Sequence, residues 1–575
     1  MERRCDITTT RAATSVAALA LLGAGALLGQ PAFVQRPEIG PNPNPAAPLA
    51  AVVRFKADRP VTTTIRVSDG ENTWELRYGA SHDPEKGLPV IGMRPARKHH
   101  IRVRIEDASG KTAEAREALE FTTPPLPEDR REFPPILVKA SRPERMEPGV
   151  TILSVRRLGR ADSGPAPRGR PGAPAGEPDF AVKYGLLLAL DARGEPVWYY
   201  RSSIRISDFE PLPNGNIVFL GADQRAIEID MLGNVVRQWY AAKRPQGPAE
   251  GAIPIPTAAF HHDIEALPNG HLLVLGGEVR RIENYYTSDT DPDAPRKTQK
   301  VMGDEVIEFT REGKLVWRWN AFDHLDPYFI GHRTLNRYWI IRGYPETLDW
   351  THGNGLFYDP RDDSILLNLR KLSAVLKIRR PGGELDWIFS EPTGWSERFR
   401  PLLFRPVGEF TWPWYQHAPE LTPQGTLLLF NNGIWESRPF TPAKPIAESY
   451  SRAMEFALDP ETKTARLVWV SDRPGPDAVT TYAMGDADWL PQRGNVLVCY
   501  GGSTRRVKKG RGRPWPLVRE FAHTNPPELL YEVVLAEEAR PPKVDWLLFG
   551  AKRVPLPFTR PAAGGPRAGN KEGSR

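Results

Sequence analysis

The chain has 575 residues, and with 59 Pro and 49 Gly close to one position in five is a turn or breaker residue, against about 12 % in an average protein, which excludes a mostly helical fold. At 40 % hydrophobic and 26 % charged residues it has the material for a core and is no disordered chain, and its length allows several domains. A net charge of +7, from 77 basic and 70 acidic residues spread along the chain, calls for no nucleic-acid partner, and two cysteines at opposite ends, Cys5 and Cys499, exclude a disulfide framework or a thiolate zinc site.

Arg3, Arg4 and Arg11 precede an uncharged run of Ala, Leu and Gly from Ala12 to Gly29, the pattern of an export signal. The run sits at the lower limit for spanning a bilayer, and Gln30-Pro31-Ala32 is a poor cleavage site. Residues 1–32 therefore read as an export signal, with an uncleaved N-terminal anchor as the second reading, and the expected location is periplasmic or membrane-anchored facing the periplasm. Cys499 reads as a free buried thiol. From residue 40 to 125 short alternating runs such as Thr64-Ile65-Arg66-Val67 and Ile101 to Ile105 lie between Gly and Pro turns, which predicts a small β-sandwich. His99 and His100 are adjacent in one of these strands, so alternation turns at most one of them inward. Thr123 to Pro135 reads as a Pro-rich linker.

Two repeated elements organise residues 135–550. One ends on an aromatic residue: Gly194 to Trp198, Gly233 to Trp239, Gly313 to Trp317, Gly383 to Trp387, Ala465 to Trp469 and, more weakly, Glu528 to Tyr531. The other is a hairpin turn: Leu212-Pro-Asn-Gly215, Leu267-Pro-Asn-Gly270, Thr422-Pro-Gln-Gly425, Leu490 to Gly494, and the variant Tyr358 to Asp363. Asn-Gly between alternating strands is a strong hairpin signal. The interleaving predicts an all-β fold, a six-bladed β-propeller preceded by the sandwich. Ala161 to Asp179, Tyr285 to Lys300 and the basic Arg505 to Arg513 read as insertions, and residues 561–575 as a disordered tail.

His262 and His417 each lie six residues before the Pro of their turns, and His352, allowing for the longer turn, takes the same place. One blade position repeated round a ring converges on its axis, so three imidazoles are expected to meet near the channel mouth. Alternation puts His352, Asn354, Leu356 and Tyr358 on one strand face. Arg370, after the next strand, has the fork to hold an anion by two parallel hydrogen bonds. Three convergent histidines also suit a metal ion, and the same ring without chemistry suits a binding protein.

Phe260-His261-His262-Asp263, Asp349-Trp-Thr-His352-Gly-Asn354, the strand before Arg370, and Gln416-His417-Ala418 ahead of Phe430-Asn431-Asn432-Gly433 resemble the bacterial arylsulfate sulfotransferase family, as does the sandwich with its closing Phe121-Thr-Thr-Pro124. The resemblance covers roughly residues 40 to 540. It implies sulfuryl transfer from one phenol ester to another phenol without a nucleotide donor, in a ping-pong cycle, with His417 as the nucleophile. His352, Arg370 and His262 would bind sulfuryl oxygens or move protons, and Asn354 and His261 would bind substrate. No cofactor and no resident metal are implied; the partners are an aryl sulfate donor and a phenolic acceptor, with membrane attachment through the N-terminal segment and a homodimer left open. Asn431 stands where the family commonly has an acidic residue, and the family's pair of nearby cysteines is missing.

Overall fold

The computed structural model describes residues 29–159, 179–473, 475, 478–505, 513–537 and 544–556. Nearly all of the export segment, the insertion up to residue 178, residues 506–512 of the basic loop and the 561–575 tail lie outside the described residues. Helices among the described residues are six residues long at most, and none is long and apolar enough to cross a membrane.

The N-terminal unit is two facing antiparallel sheets. One pairs Phe33–Pro41, Ala51–Ala57 and Leu88–Val90; the other is built on Thr62–Ser68 between Thr73–Tyr78 and Lys98–Glu106. Alternation in Lys98–Glu106 is strict: His99, Ile101, Val103 and Ile105 point inward, and His100 faces solvent. His99 Nε2 accepts the Arg94 backbone N–H at 3.2 Å, so this histidine packs the core. The strand Phe33–Pro41 lies ahead of the expected start of the unit at residue 40. Its two prolines and mostly exposed pattern hide the period of two, as is usual for an edge strand. The sandwich is not set apart by its linker: Val53, Phe55 and Ile65 share one core with Trp198, Phe209 and Phe219 of the following sheets. Arg94 spans the junction, pairing with Asp69 at 3.0 Å on its own side and with Asp191 and Glu195 on the other.

Among the described residues, six four- or five-stranded sheets follow. From the innermost strand outward, the second runs Ile206–Pro211, Ile217–Gly221, Arg225–Ile229 and Val235–Ala241, and the third to sixth begin with Phe260–Ala266, Gly353–Asp359, His417–Leu421 and Asp486–Leu490. The first sheet instead takes its innermost strand, Val544–Val554, from the C-terminal side, paired antiparallel to Val150–Gly159. The sixth is completed by Leu137–Ser141. The innermost strands neighbour one another in turn, and Val544–Val554 lies beside both Asp486–Leu490 and Ile206–Pro211, which closes a propeller-like ring.

The repeated elements now have positions. All six aromatic-ended elements are fourth strands, and the hairpin turns join first to second strands. The first sheet lacks such a turn because its first strand comes from the other end of the chain. Four tryptophans of the fourth strands latch sheet to sheet: Trp198 Nε1 donates to the Met231 carbonyl at 2.9 Å, Trp239 to Arg311 at 3.0 Å, Trp319 to Gly383 at 3.1 Å and Trp469 to Thr524 at 3.0 Å. Each acceptor is the turn before the next sheet's fourth strand, so a buried indole satisfies its N–H while its ring fills the gap. Cys499 is a free, buried thiol on the second strand of the sixth sheet.

Candidate active site

Bulges aim the key side chains. Pairing slips between Phe260 and Ile264, between Gly353 and Gly355, and between His417 and Glu420, each time at the start of an innermost strand. His262 and His352 also hold left-handed backbone, φ 56° and 54°, which is rare for a non-glycine residue. A bulge re-aims a side chain out of strand alternation. The result is a cavity of about 490 Å³ lined by His262, His352, Arg370 and His417 together.

Asn354 goes elsewhere. It is the bulged residue between Gly353, which faces Leu369, and Gly355, which faces Asn368, so unbroken alternation with His352 does not hold. Its amide donates to the Gln416 carbonyl at 3.1 Å and its oxygen accepts from Asn368, and it borders a second, smaller cavity with Asp263, Asp486 and His417. It ties two innermost strands together and makes no contact with the histidine cavity. His261 does border that cavity, yet both its nitrogens are engaged, Nε2 with the Gly276 carbonyl at 2.9 Å and Nδ1 with His262 Nδ1 at 2.9 Å. It therefore orients His262.

The hydrogen bonds set the tautomers. Asn432 Nδ2 donates to the carbonyls of Thr481 and Met484 at 2.9 and 3.0 Å, so its Oδ1 must be the acceptor of the 2.6 Å bond from His417 Nδ1–H. In neutral His417 the lone pair is then on Nε2. In the same way His352 Nδ1 donates to Asp349 Oδ2 at 2.7 Å, and Asn336 Nδ2 donates to the same oxygen at 3.1 Å. Burial, then Arg370, push the His417 pKa well below the usual histidine value. Burial brings His352 down to about 4 in spite of Asp349, and burial followed by His352 lowers His262. All three are neutral at pH 7. Burial raises the Asp349 carboxyl, but His352, with Lys371 and Asn336, together hold it below its ordinary range.

Arg370 follows Ser364–Leu369 directly, with its backbone N–H on the His352 carbonyl at 3.1 Å. Its Nη2 donates to the Tyr482 carbonyl at 3.0 Å and its plane lies over the Tyr415 ring, while its Nε has no partner among the described residues. Lys371 beside it also borders the cavity, donates to the Arg333 carbonyl at 2.7 Å, and is pushed down to about 7 by burial.

Several of these residues have no repeat register to announce them. Asn431 uses its oxygen on the backbone N–H groups of Trp414 and Gly433, so the neighbouring Asn432 is the one that meets His417. The segment after the third sheet supplies Arg333, Asn336, Tyr338, Trp339 and Arg342 to the cavity. Tyr338 packs on His352 with ring centres 4.4 Å apart and stacks on His262 at 5.7 Å. The one signal for this segment in the sequence is three arginines in ten residues. Among the described residues no three His, Cys, Asp or Glu groups form a metal-ligating arrangement.

Residues 140–534 match the family model described as Arylsulfotransferase (ASST), and residues 38–124 match that of an Arylsulfotransferase Ig-like domain. A protein of Escherichia coli O6:H1 (strain CFT073) named arylsulfate sulfotransferase AssT is 27 % identical over 290 residues, covering 43 % of this chain and 44 % of that protein. One of the same name from Lelliottia amnigena is 25 % identical over 289 residues, with the same shares. The chain thus spans under half the length of the curated relatives it matches. Among solved structures, a protein of unknown function from Bacteroides caccae aligns over 70 % of this chain and 99 % of its own, at 12 % identity and a TM-score of 0.35.

Proposed function

The chain belongs to the arylsulfotransferase family, and from that premise we propose that it moves a sulfuryl group from an aryl sulfate ester to a phenolic acceptor, without a nucleotide donor, in a ping-pong cycle through a sulfohistidine at His417. The observation that carries this reading is the bond from His417 Nδ1 to a neutral amide, which leaves the Nε2 lone pair on a buried imidazole beside Arg370.

In the first half-reaction Nε2 attacks sulfur, the N–S bond forms as the bond from sulfur to the aryl oxygen breaks, and the aryloxide leaves with that electron pair. Because Nδ1 keeps its proton, His417 becomes a sulfo-imidazolium. A carboxylate behind the ring would stabilise that cation; Asn432 is uncharged, so the group stays poised to leave again. In the second half-reaction a phenol gives its proton to a neutral imidazole and its oxygen takes the sulfuryl group, restoring the lone pair on Nε2. His352 suits the proton, since Asp349 stabilises the imidazolium that forms. Arg370 faces charge on the non-bridging oxygens, an effect of about 3 kcal/mol for a well-placed donor. Tyr338, Trp339, Trp435 and Phe549 wall the cavity with rings, which favours an aromatic substrate. Phenols, with a pKa near 10, leave far more readily than alkoxides, so aryl sulfates are the expected donors.

The test mixes purified protein with a chromogenic aryl sulfate, with and without phenol, and follows intact mass. Phenol-stimulated release and an acid-labile gain of about 80 Da, one SO3, on the peptide holding His417 support the reading. Full turnover by His417→Asn sinks it.

A further inference from the structure

The histidine cavity carries more positive charge than one sulfuryl group requires. Arg156, Arg205, Arg333, Arg337, Arg342, Arg370 and Lys371 all border it, and among the described residues no Asp or Glu does. Arg370 and Lys371 stand beside the reacting histidines. Arg156 and Arg342 belong to a different part of the wall, beyond His262 and Tyr338. Arg156 is fixed by its Nε on the Ile206 carbonyl at 2.8 Å and by the Phe549 ring under its plane, 4.3 Å away. Arg342 lies over the Tyr338 ring at 3.5 Å and donates to the Tyr338 carbonyl at 2.9 Å. Among the described residues neither forms an ion pair with a carboxylate, while most other partly buried arginines of the chain do, Arg94, Arg438 and Arg519 among them. Arg205 adds a third guanidinium, drawn down to about 10 by burial and then by Arg342. Arg156 and Arg342, held in one concave wall without an ion pair to a carboxylate among the described residues, repel one another, and an anionic ligand removes that penalty.

We propose that Arg156 and Arg342, with Arg205 beside them, form a second anion subsite in the cavity, and that the preferred substrates are aryl sulfates and phenols whose ring bears a second anionic group such as a carboxylate. This rests on the sulfuryl-transfer reading for its chemistry, but binding alone can decide it. One cavity serves donor and acceptor in a ping-pong cycle, so the same subsite reads both. The fixed distance from subsite to His417 Nε2 then selects where on the ring the anion sits.

The experiment compares 4-hydroxyphenylacetate with 4-hydroxyphenylacetamide as acceptors from 4-nitrophenyl sulfate, two phenols of similar acidity that differ in charge. The acid is expected to exceed the amide in kcat/KM by about tenfold or more, the worth of a charged hydrogen bond. In Arg156→Gln and Arg342→Gln that ratio falls toward one, and the amide reports any general damage from the substitution. A wild-type ratio of one or less, or a ratio unmoved in both variants, overturns the subsite. If the wild type transfers to neither phenol and releases no nitrophenol, the transfer reading fails on its own, and calorimetric titration of the same two compounds decides the subsite. Tenfold tighter binding of the acid, lost in the variants, supports it; equal or absent binding overturns it.

Discussion

Acid is the perturbation that tests the buried histidines most directly. An imidazole with a pKa near 6.5 is only about 3 % neutral at pH 5, whereas one at about 4 keeps about nine-tenths of its lone pair. His352 is brought to that value by burial, and His417 is pushed well below the usual value by burial and then by Arg370. A folded-state pKa that is lowered moves the loss of the neutral form to lower pH, so the nucleophile persists into acid. The rate constant of the first-turnover burst with 4-nitrophenyl sulfate, whose leaving group needs no proton, is expected to fall far less from pH 7 to pH 5 than the roughly 25-fold that an ordinary histidine would lose. The assay is quenched flow into base, reading nitrophenolate against enzyme. A burst rate that halves near pH 6.5 would refute the buried, neutral nucleophile. Asp349→Asn removes the one charge that holds the His352 pKa up, so any acid limb owed to His352 must move to lower pH, and a move upward contradicts the dyad.

Arg370→Lys is expected to cost roughly ten- to hundredfold in kcat/KM for the donor, because a point charge cannot reproduce a planar fork seated on the Tyr415 ring; unchanged kinetics would place Arg370 outside the reaction. A Cβ at Gly355 would stand 2.6 Å from Pro419 Cδ and 2.9 Å from the Ala418 nitrogen, so Gly355→Ala should destabilise the fold by about 1–3 kcal/mol and lower turnover by displacing His417. Equal melting temperature and kcat would show that the two strands can part without consequence. Stability should also fall with acid: the unfolded chain takes a proton on His352 below about 6.5 and the folded chain only below about 4, so up to about 3 kcal/mol is lost as pH drops through that window. His352→Gln should flatten the urea midpoint over the same range, and an unaltered slope would count against a buried neutral His352.

The repeats were legible because they mark fixed stations: the aromatic residue sits on a fourth strand, where Trp198, Trp239, Trp317 and Trp469 each reach the next sheet's turn. The histidine register was legible for the same reason, since His262, His352 and His417 occupy corresponding stations. Alternation failed one step later. It placed Asn354 with His352, and the bulge between Gly353 and Gly355 parts them. Strand periodicity assumes an unbroken ladder, and here the ladder breaks where side chains must be re-aimed. Asn432 was hidden behind Asn431, since only the fold decides which of two adjacent amides meets His417. Tyr338 and Arg342 lie in an insertion outside the repeat, where spacing carries no information.

The closing strand Val544–Val554 puts Phe549 into the cavity wall and seals the first sheet against Val150–Gly159. Synthesis proceeds from the N-terminus, so every histidine of the site is made long before the residue that completes its enclosure. A nascent chain that has not yet made Val544–Val554 therefore holds the reactive groups without the complete cavity wall. A chain ending at Ala536 is expected to be inactive and to regain turnover when a peptide of residues 544–556 is supplied; activity without that peptide would show that the pocket forms before the ring shuts.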